Sequence, residues 1–152
     1  MDILSSKDLL LKQAGDANSE VRWKTADFVY VNFQRTGKVL REELLKKFLN
    51  DLHPGVRMKA AEIASQNFLF IDKHLRNGIL EKSASDSYFN VRKKAVEAIA
   101  KNIENIETEI LNRLLSNLEN DENPSVRTAV VRLFDDNFEN VFQKISSGIP
   151  DN

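Results

Sequence analysis

Residues 86–95 read Asp-Ser-Tyr-Phe-Asn-Val-Arg-Lys-Lys-Ala, and the frame of Asp followed five residues later by Val-Arg decides the fold. This frame occurs four times, with its aspartates 35 residues apart. Its charged residues are Asp16 and Arg22, Asp51 and Arg57, Asp86 and Arg92, and Asp121 and Arg127. A constant period of this length is typical of a solenoid, whose repeats bury their apolar faces against their neighbours. Such a chain presents a surface rather than an enclosed pocket.

The period within each repeat is helical. Val21, Phe28, Val29 and Phe33 follow the i, i+7, i+8, i+12 spacing of one helix face, and no strand alternation competes with it. The predicted first helices cover residues 3–14, 38–50, 73–85 and 108–120, and the second helices cover 19–34, 54–69, 89–104 and 124–142. Asn123 is a good N-cap, and Pro54 and Pro124 suit a first helical position. The sequence therefore predicts an all-α chain of four antiparallel helix pairs.

These repeats leave no room for a second domain. We expect a single domain, 1–152, with repeats at approximately 2–36, 37–71, 72–106 and 107–142 and a tail at 143–152. The tail contains Ser146, Ser147, Gly148 and Pro150, a composition that ends helices and frays.

Composition favours a cytoplasmic, soluble protein. The chain has 22 basic and 23 acidic residues, so no overall field attracts it to nucleic acid or to an anionic membrane. It contains no cysteine, which removes disulfides and thiolate chemistry and gives no sign of an oxidising compartment. No basic stretch precedes an apolar run near Met1, and no stretch approaches the roughly 18 apolar residues of a membrane span.

A helix pair of this length with Asp-x-x-x-x-Val-Arg-x-x-Ala across its turn resembles the HEAT repeat family, in particular its bacterial, PBS-lyase-like type. Ala60 and Ala95 complete the pattern in the inner repeats, whereas Thr25 and Val130 replace the alanine in the outer ones. The resemblance implies a right-handed superhelical α-solenoid whose second helices line its concave side. Because members of this family are mostly scaffolds and partner-binding modules, the resemblance also implies protein binding. The chain departs from many members by lacking a proline in its first helices.

Two polar columns recur in every repeat. The resemblance implies that the Asp and Arg side chains of the frames bridge neighbouring repeats, and charge-assisted bonds of that kind would fix the stacking register. Asn32, Asn67, Asn102 and Asn137 form the second column, near the ends of the second helices. Their amides are suited to bonding terminal carbonyls or a neighbouring repeat. We interpret both columns as structural.

A partner-binding site is expected where the repeats differ on the exposed side of the second helices. Trp23 and Tyr30 lie two helical turns apart, and Met58 follows Trp23 by one repeat, which gives an amphipathic patch of the kind found at binding hot spots. The predicted concave-face site comprises Trp23, Asp27, Tyr30, Met58, Lys93, Lys94 and Lys101. Elsewhere on this face, lysine and acid three residues apart are expected to pair as Lys24 with Asp27, Lys59 with Glu62 and Lys94 with Glu97. The alternative for Trp23 is packing as a terminal cap.

The leading hypothesis is a scaffold or adaptor that binds a helix or extended segment of another protein. Its competitor is a HEAT-like DNA-binding or glycosylase-type protein using Trp23, Tyr30 and Asp27, against which the neutral charge balance argues. His53 and His74 have no metal-ligand partners in the sequence, and no glycine cluster could hold a phosphate, so we expect no enzyme, cofactor or metal site. The apolar residues of the last second helix suggest a monomer, or a weak dimer formed through the carboxyl-terminal repeat.

Overall fold

The computed structural model describes the backbone of residues 3–147 and the side chains of residues 6–147. Within these ranges the chain forms eight α-helices and two 3₁₀ turns, without a strand. The helices are α1 (Ile3–Ala14), α2 (Ser19–Val31), α3 (Lys38–Leu49), α4 (Pro54–Gln66), α5 (Lys73–Ala84), α6 (Phe89–Asn102), α7 (Thr108–Leu118) and α8 (Pro124–Ser146). The 3₁₀ turns are Phe68–Phe70 and Ile103–Asn105. The predicted all-α stack of four successive helix pairs is confirmed.

The helices are arranged in two layers. Each first helix packs against the second helix of its own pair, and helices of the same kind pack against one another in successive pairs. Packing is more extensive between successive second helices, α2, α4, α6 and α8, than between successive first helices. We call the more closely packed layer, which the second helices form, the inner layer.

The core lies between the two layers along the whole stack. Val56, Val91 and Val126 occupy the same position in three repeats, and all three are fully buried. One cluster of buried residues comes mainly from the first two repeats and includes Ile79 of the third, and the other comes mainly from the last two and includes Phe68 of the second. Each repeat thus completes its core against its neighbour, as the 35-residue period predicts.

Side chains in the turns start the second helices. The side-chain oxygens of Asn18 and Asn123 each accept the backbone N–H two residues ahead at 2.8 Å. The Nδ1 atom of His53 does the same for α4 at 3.1 Å. Pro54 and Pro124 stand at the first helical positions, where a missing N–H removes no helical bond. These predicted helix starts are confirmed.

Asparagines end the regular helical backbone of the second helices. In Asn32, Asn67, Asn102 and Asn137, Nδ2 donates to the carbonyl four residues earlier at 3.0 Å. Their backbones leave the helical region, with φ between −127° and −110°. The prediction that these amides bond helix-end carbonyls is confirmed.

The predicted boundaries of most helices extend too far. The second helices α2, α4 and α6 end at Val31, Gln66 and Asn102 rather than at 34, 69 and 104, because the chain turns at the asparagines. The first helices α3, α5 and α7 end at Leu49, Ala84 and Leu118 rather than at 50, 85 and 120.

Helix α8 departs from the pattern in the opposite direction. It bends at Asn137 and continues to Ser146, so the predicted end at 142 is wrong. The fraying of the tail stays a prediction. Two contacts hold this extension: Val141 is buried in the core of the last two repeats, and Lys144 Nζ donates to the carbonyl of Ile103 at 2.9 Å. Gly148 and Pro150 of the predicted tail lie outside the described residues. None of the described helices has the length and apolar character needed to cross a membrane.

Candidate functional site

The Asp and Arg residues of the four frames form a ladder between repeats. Arg92 donates from Nε and Nη2 to the two carboxylate oxygens of Asp121, at 2.7 and 2.9 Å. Arg22 with Asp51 and Arg57 with Asp86 have the same two distances. We call each such pair a rung of the Asp–Arg ladder. Two parallel bonds between charged groups fix orientation as well as distance, so each rung sets the register of two successive repeats.

Each rung is also tied to the turn of its own repeat. Arg92 Nη1 donates to the carbonyl of Asp86 at 2.8 Å, and the other frame arginines bond their own turns in the same way. The Asp121 carboxylate accepts the backbone N–H of Asn123 at 2.8 Å. The rung side chains are between 5% and 14% exposed. Nearly every polar atom of a rung is therefore used, and these residues are structural.

The rungs shift the acidity of their carboxyl groups. The bond from Arg92 lowers the pKa of Asp121 below its ordinary value, and partial burial only partly opposes this. For Asp51 and Asp86 burial is the largest influence and would raise the pKa, but bonds from arginine and from the backbone together outweigh it and lower the pKa. All three aspartates therefore favour the ionised form in the folded chain.

The predicted residues Trp23, Asp27 and Tyr30 meet around a lysine of the next repeat. Lys59 Nζ lies 5.1 Å from the centroid of the Trp23 ring and 4.9 Å from that of Tyr30. It also forms ion pairs with Asp27 at 3.2 Å and with Glu62 at 2.8 Å. Two ring faces and two carboxylates thus surround one ammonium group, a combination that favours the charged form. We call these five residues the Lys59 cluster.

Ion pairing dominates the titration of Lys59. Partial burial would lower its pKa, but the bonds to Glu62 and Asp27 raise it above its ordinary value. The predicted pairs of Lys59 with Glu62 and Lys94 with Glu97 are present at 2.8 Å. The predicted pair of Lys24 with Asp27 is not formed. Lys59 reaches Asp27 from the neighbouring helix. Lys24 lies over the Trp23 ring instead, with its Nζ 5.3 Å from the ring centroid.

The seven predicted site residues are distributed along the second helices α2, α4 and α6. Trp23 and Tyr30 are half-buried against the core of the first two repeats. The alternative of Trp23 as a terminal cap stays a prediction. Met58 is half-buried on α4, one repeat along the same layer. Lys94 pairs with Glu97, and Lys101 donates to the side chain of Gln66 on α4. Lys93 alone among the seven lines an open groove.

This groove lies between α6 and α8 and has a volume of about 490 Å³. Val96, Ala100, Ala129 and Leu133 contribute its apolar lining. Its charged lining residues are Lys93, Glu97, Arg132 and Asp136. We call it the α6–α8 groove. Lys93, Arg132 and Asp136 have no ion-pair partner among the side chains that the structure describes, so three charges there are available to a ligand.

The predicted set of site residues omits Arg132 and Asp136, which line this groove. The available signal was side-chain size. Thr128 and Ala129 are short, whereas the first repeat carries Trp23 and Lys24 at the same two positions. Where the side chains are large the space between second helices is filled, and where they are short it is open. Within residues 6–147, no three histidine, aspartate or glutamate side chains are grouped as metal ligands.

Comparison with known proteins supports the fold and goes no further. No family model matches the chain, and no curated protein matches it. The crystal structure of Cex1p is similar, with a TM-score of 0.69 and 20% sequence identity. The match covers 94% of this chain and 29% of the Cex1p chain. This chain therefore spans less than a third of that protein, and at such low identity the likeness concerns the helical architecture alone.

Proposed function

We propose that this protein is a binding module, without catalytic turnover, whose inner layer holds a helical or extended segment of another protein. The observation that carries the proposal is the α6–α8 groove, which combines an apolar lining with the unpaired charges of Lys93, Arg132 and Asp136. Protein-recognition grooves combine an apolar centre with polar groups that fix the orientation of the ligand. The Lys59 cluster lies at the opposite end of the same layer, where the half-buried rings of Trp23 and Tyr30 would extend the contact area.

The charges favour a segment that carries both signs. Lys93 and Arg132 would pair with acidic side chains, and Asp136 would pair with a basic one, so a partner that lies along the groove has a preferred direction. We also propose that the protein acts in the cytoplasm. A scaffold that acts in the cytoplasm agrees with the complete lack of cysteine in this sequence.

Peptide selection on the immobilised protein tests the proposal. Selected peptides would be measured by calorimetry against the wild type and against Thr128→Trp, which places in the groove the residue that the first repeat carries at this position. We expect at least about tenfold weaker binding, because the indole would fill the space between α6 and α8. Asn117→Trp, on the exposed side of α7, is the matched control and should bind like the wild type. Equal binding by all three proteins would remove the groove as the site.

A further inference from the structure

The Asp–Arg ladder has half a rung at each end. Arg127 Nη1 donates to the carbonyls of Asp121 and Glu122, at 2.6 and 3.0 Å, as the inner arginines do in their own turns. Its Nε and Nη2, the atoms that bind aspartate in the inner rungs, have no carboxylate partner among the described side chains. The guanidinium is thus oriented by its own turn and lacks only the aspartate of a following repeat.

Asp16 is the complementary half. Its carboxylate accepts the backbone N–H of Asn18 at 2.8 Å, as the inner aspartates do with the residue two positions ahead. No arginine or lysine pairs with it within the described part of the chain. Each inner rung joins an arginine to the aspartate 29 residues later in the sequence. Counting 29 residues on from Arg127 gives the same place in the repeat that Asp16 occupies, one full set of four repeats earlier. Asp16 is therefore the aspartate that the periodic pattern places opposite Arg127.

The faces around these two residues are apolar and exposed. On the side of α1 and α2 that faces away from the stack, Leu9 is 42% and Phe28 is 49% exposed, whereas the equivalent residues of the inner repeats are buried. These two residues also line a groove of about 540 Å³ between α1 and α2. We call this surface, with Asp16, the first edge. It is the surface that a preceding repeat would cover.

The opposite end of the stack presents the matching surface. Val131 is 58% and Phe138 is 59% exposed, while the equivalent Val96 and Ile103 are 1% and 2% exposed because the next repeat covers them. Phe142 stacks on Phe138, with ring centroids 5.8 Å apart, and is also exposed. We call this surface, with Arg127, the last edge. Large exposed apolar patches on a folded chain mark interaction surfaces.

We propose that copies of this chain associate head to tail, the last edge of one copy packing on the first edge of the next, with Arg127 and Asp16 forming a rung between copies. This contact between copies resembles the contact between successive repeats within one chain. It joins two different surfaces, so it does not close on itself as a two-fold dimer does, and longer assemblies form as concentration rises. This interface is separate from the α6–α8 groove, and its success or failure leaves the proposed function unaffected.

Energy transfer between labelled copies gives a direct test, since the cysteine-free chain accepts single labels. Ala17→Cys and Glu122→Cys place dyes beside Asp16 and Arg127 at exposed turn positions without altering either ladder residue. We expect transfer between a copy labelled at 17 and a copy labelled at 122, rising with concentration. Transfer should be weaker for 17 with 17 and for 122 with 122. A preference for either like pair would indicate a two-fold dimer and overturn the proposal.

Charge exchange tests the rung itself in sedimentation velocity. Arg127→Asp and Asp16→Arg should each weaken self-association by about tenfold or more, because each places like charges in contact. Mixing the two variants restores opposite charges at every contact and should restore assembly. Lys46→Asp, with the same charge change at an exposed position of α3, is the control and should associate like the wild type. Circular dichroism of each variant confirms folding, and Arg127→Gln replaces Arg127→Asp in the association measurement if that variant unfolds. A wild type that stays monomeric at all concentrations, or a mixture that does not reassemble, would refute the proposal.

Discussion

Arg92 and Asp121 join the last two repeats through two parallel hydrogen bonds, and Arg92 also binds the carbonyl of Asp86 in the turn of its own repeat. One side chain therefore fixes both a local turn and a contact between repeats. Lys93, its neighbour in sequence, lines the α6–α8 groove without an ion-pair partner in the described structure.

This pair of neighbours gives a matched test of the ladder. Arg92→Ala leaves the buried carboxylate of Asp121 without its cation and should reduce the free energy of unfolding by about 3 kcal/mol, as for other broken buried ion pairs. Lys93→Ala should change it by no more than about 0.5 kcal/mol. Urea unfolding monitored by circular dichroism measures both. Equal losses for the two variants would show that the ladder does not set stability.

Acid should weaken the fold through the same rungs. Asp51, Asp86 and Asp121 have a lower pKa in the folded chain than the ordinary 3.8, so the folded state releases protons that the unfolded state retains. Their contribution to the free energy of unfolding is fully present above the pKa of the unfolded chain. It is lost as the pH falls through the lower pKa values of the folded chain.

We therefore expect a steep loss of unfolding free energy below about pH 4 in the wild type. In Asp86→Asn this loss should be shallower, since one of the three titrating groups is gone, although the variant is less stable at neutral pH. Asp8→Asn, an exposed aspartate on α1, is the control and should follow the wild-type profile. Parallel pH profiles for wild type and Asp86→Asn would mean that the rungs do not cause the loss of stability in acid.

The asparagines at the helix ends are not equivalent, although their sequence context is the same. Asn102 is buried, and its Nδ2 donates both to Ala98 O in its own helix and to Ser65 O in the preceding repeat, at 3.0 Å each. Asn32 makes its Nδ2 bond only to Phe28 O, within its own helix and with more exposure to solvent.

Asn102→Ala should therefore cost about 1–3 kcal/mol, because two carbonyls at a buried site lose a donor. Asn32→Ala should cost about 0.5 kcal/mol, since water can replace its single side-chain bond. Thermal unfolding of the two variants in parallel measures the difference. A larger loss for Asn32→Ala would show that the contact between repeats adds nothing to the stability.

The sequence predicts the helix pairs, the helix starts and the inner-layer pattern because the 35-residue period places equivalent residues in equivalent surroundings. Prediction fails where the period breaks. In the second and third helix pairs, Arg41 and Arg76 donate to the carbonyls of Phe33 and Phe68, which precede those pairs. In the fourth pair Leu111 occupies the corresponding position and cannot donate such a bond. Lys144 supplies the missing donor to Ile103 O from the extension of α8.

That contact spans 41 residues, and no local propensity encodes it. The candidate site was partly hidden for a similar reason. The aromatic residues Trp23 and Tyr30 stand out in the sequence, but the structure places a lysine of the next repeat against both rings. The open groove instead results from residues that are short, and a short side chain gives little signal of what it leaves uncovered.

The Lys59 cluster has a built-in reporter, because Trp23 is the only tryptophan of the chain. Lys59 covers the face of the Trp23 ring and is largely buried, with a side-chain exposure of 12%. Lys59→Ala should open that face to solvent and increase acrylamide quenching of Trp23 fluorescence. Lys24 lies at a similar distance from the ring but is exposed, so Lys24→Ala should change the quenching much less. The unfolding free energy of Lys59→Ala should fall by about 1 kcal/mol, as Asp27 and Glu62 remain partly solvated without their shared cation. Equal quenching in the two variants would indicate that Lys59 does not cover the indole in solution.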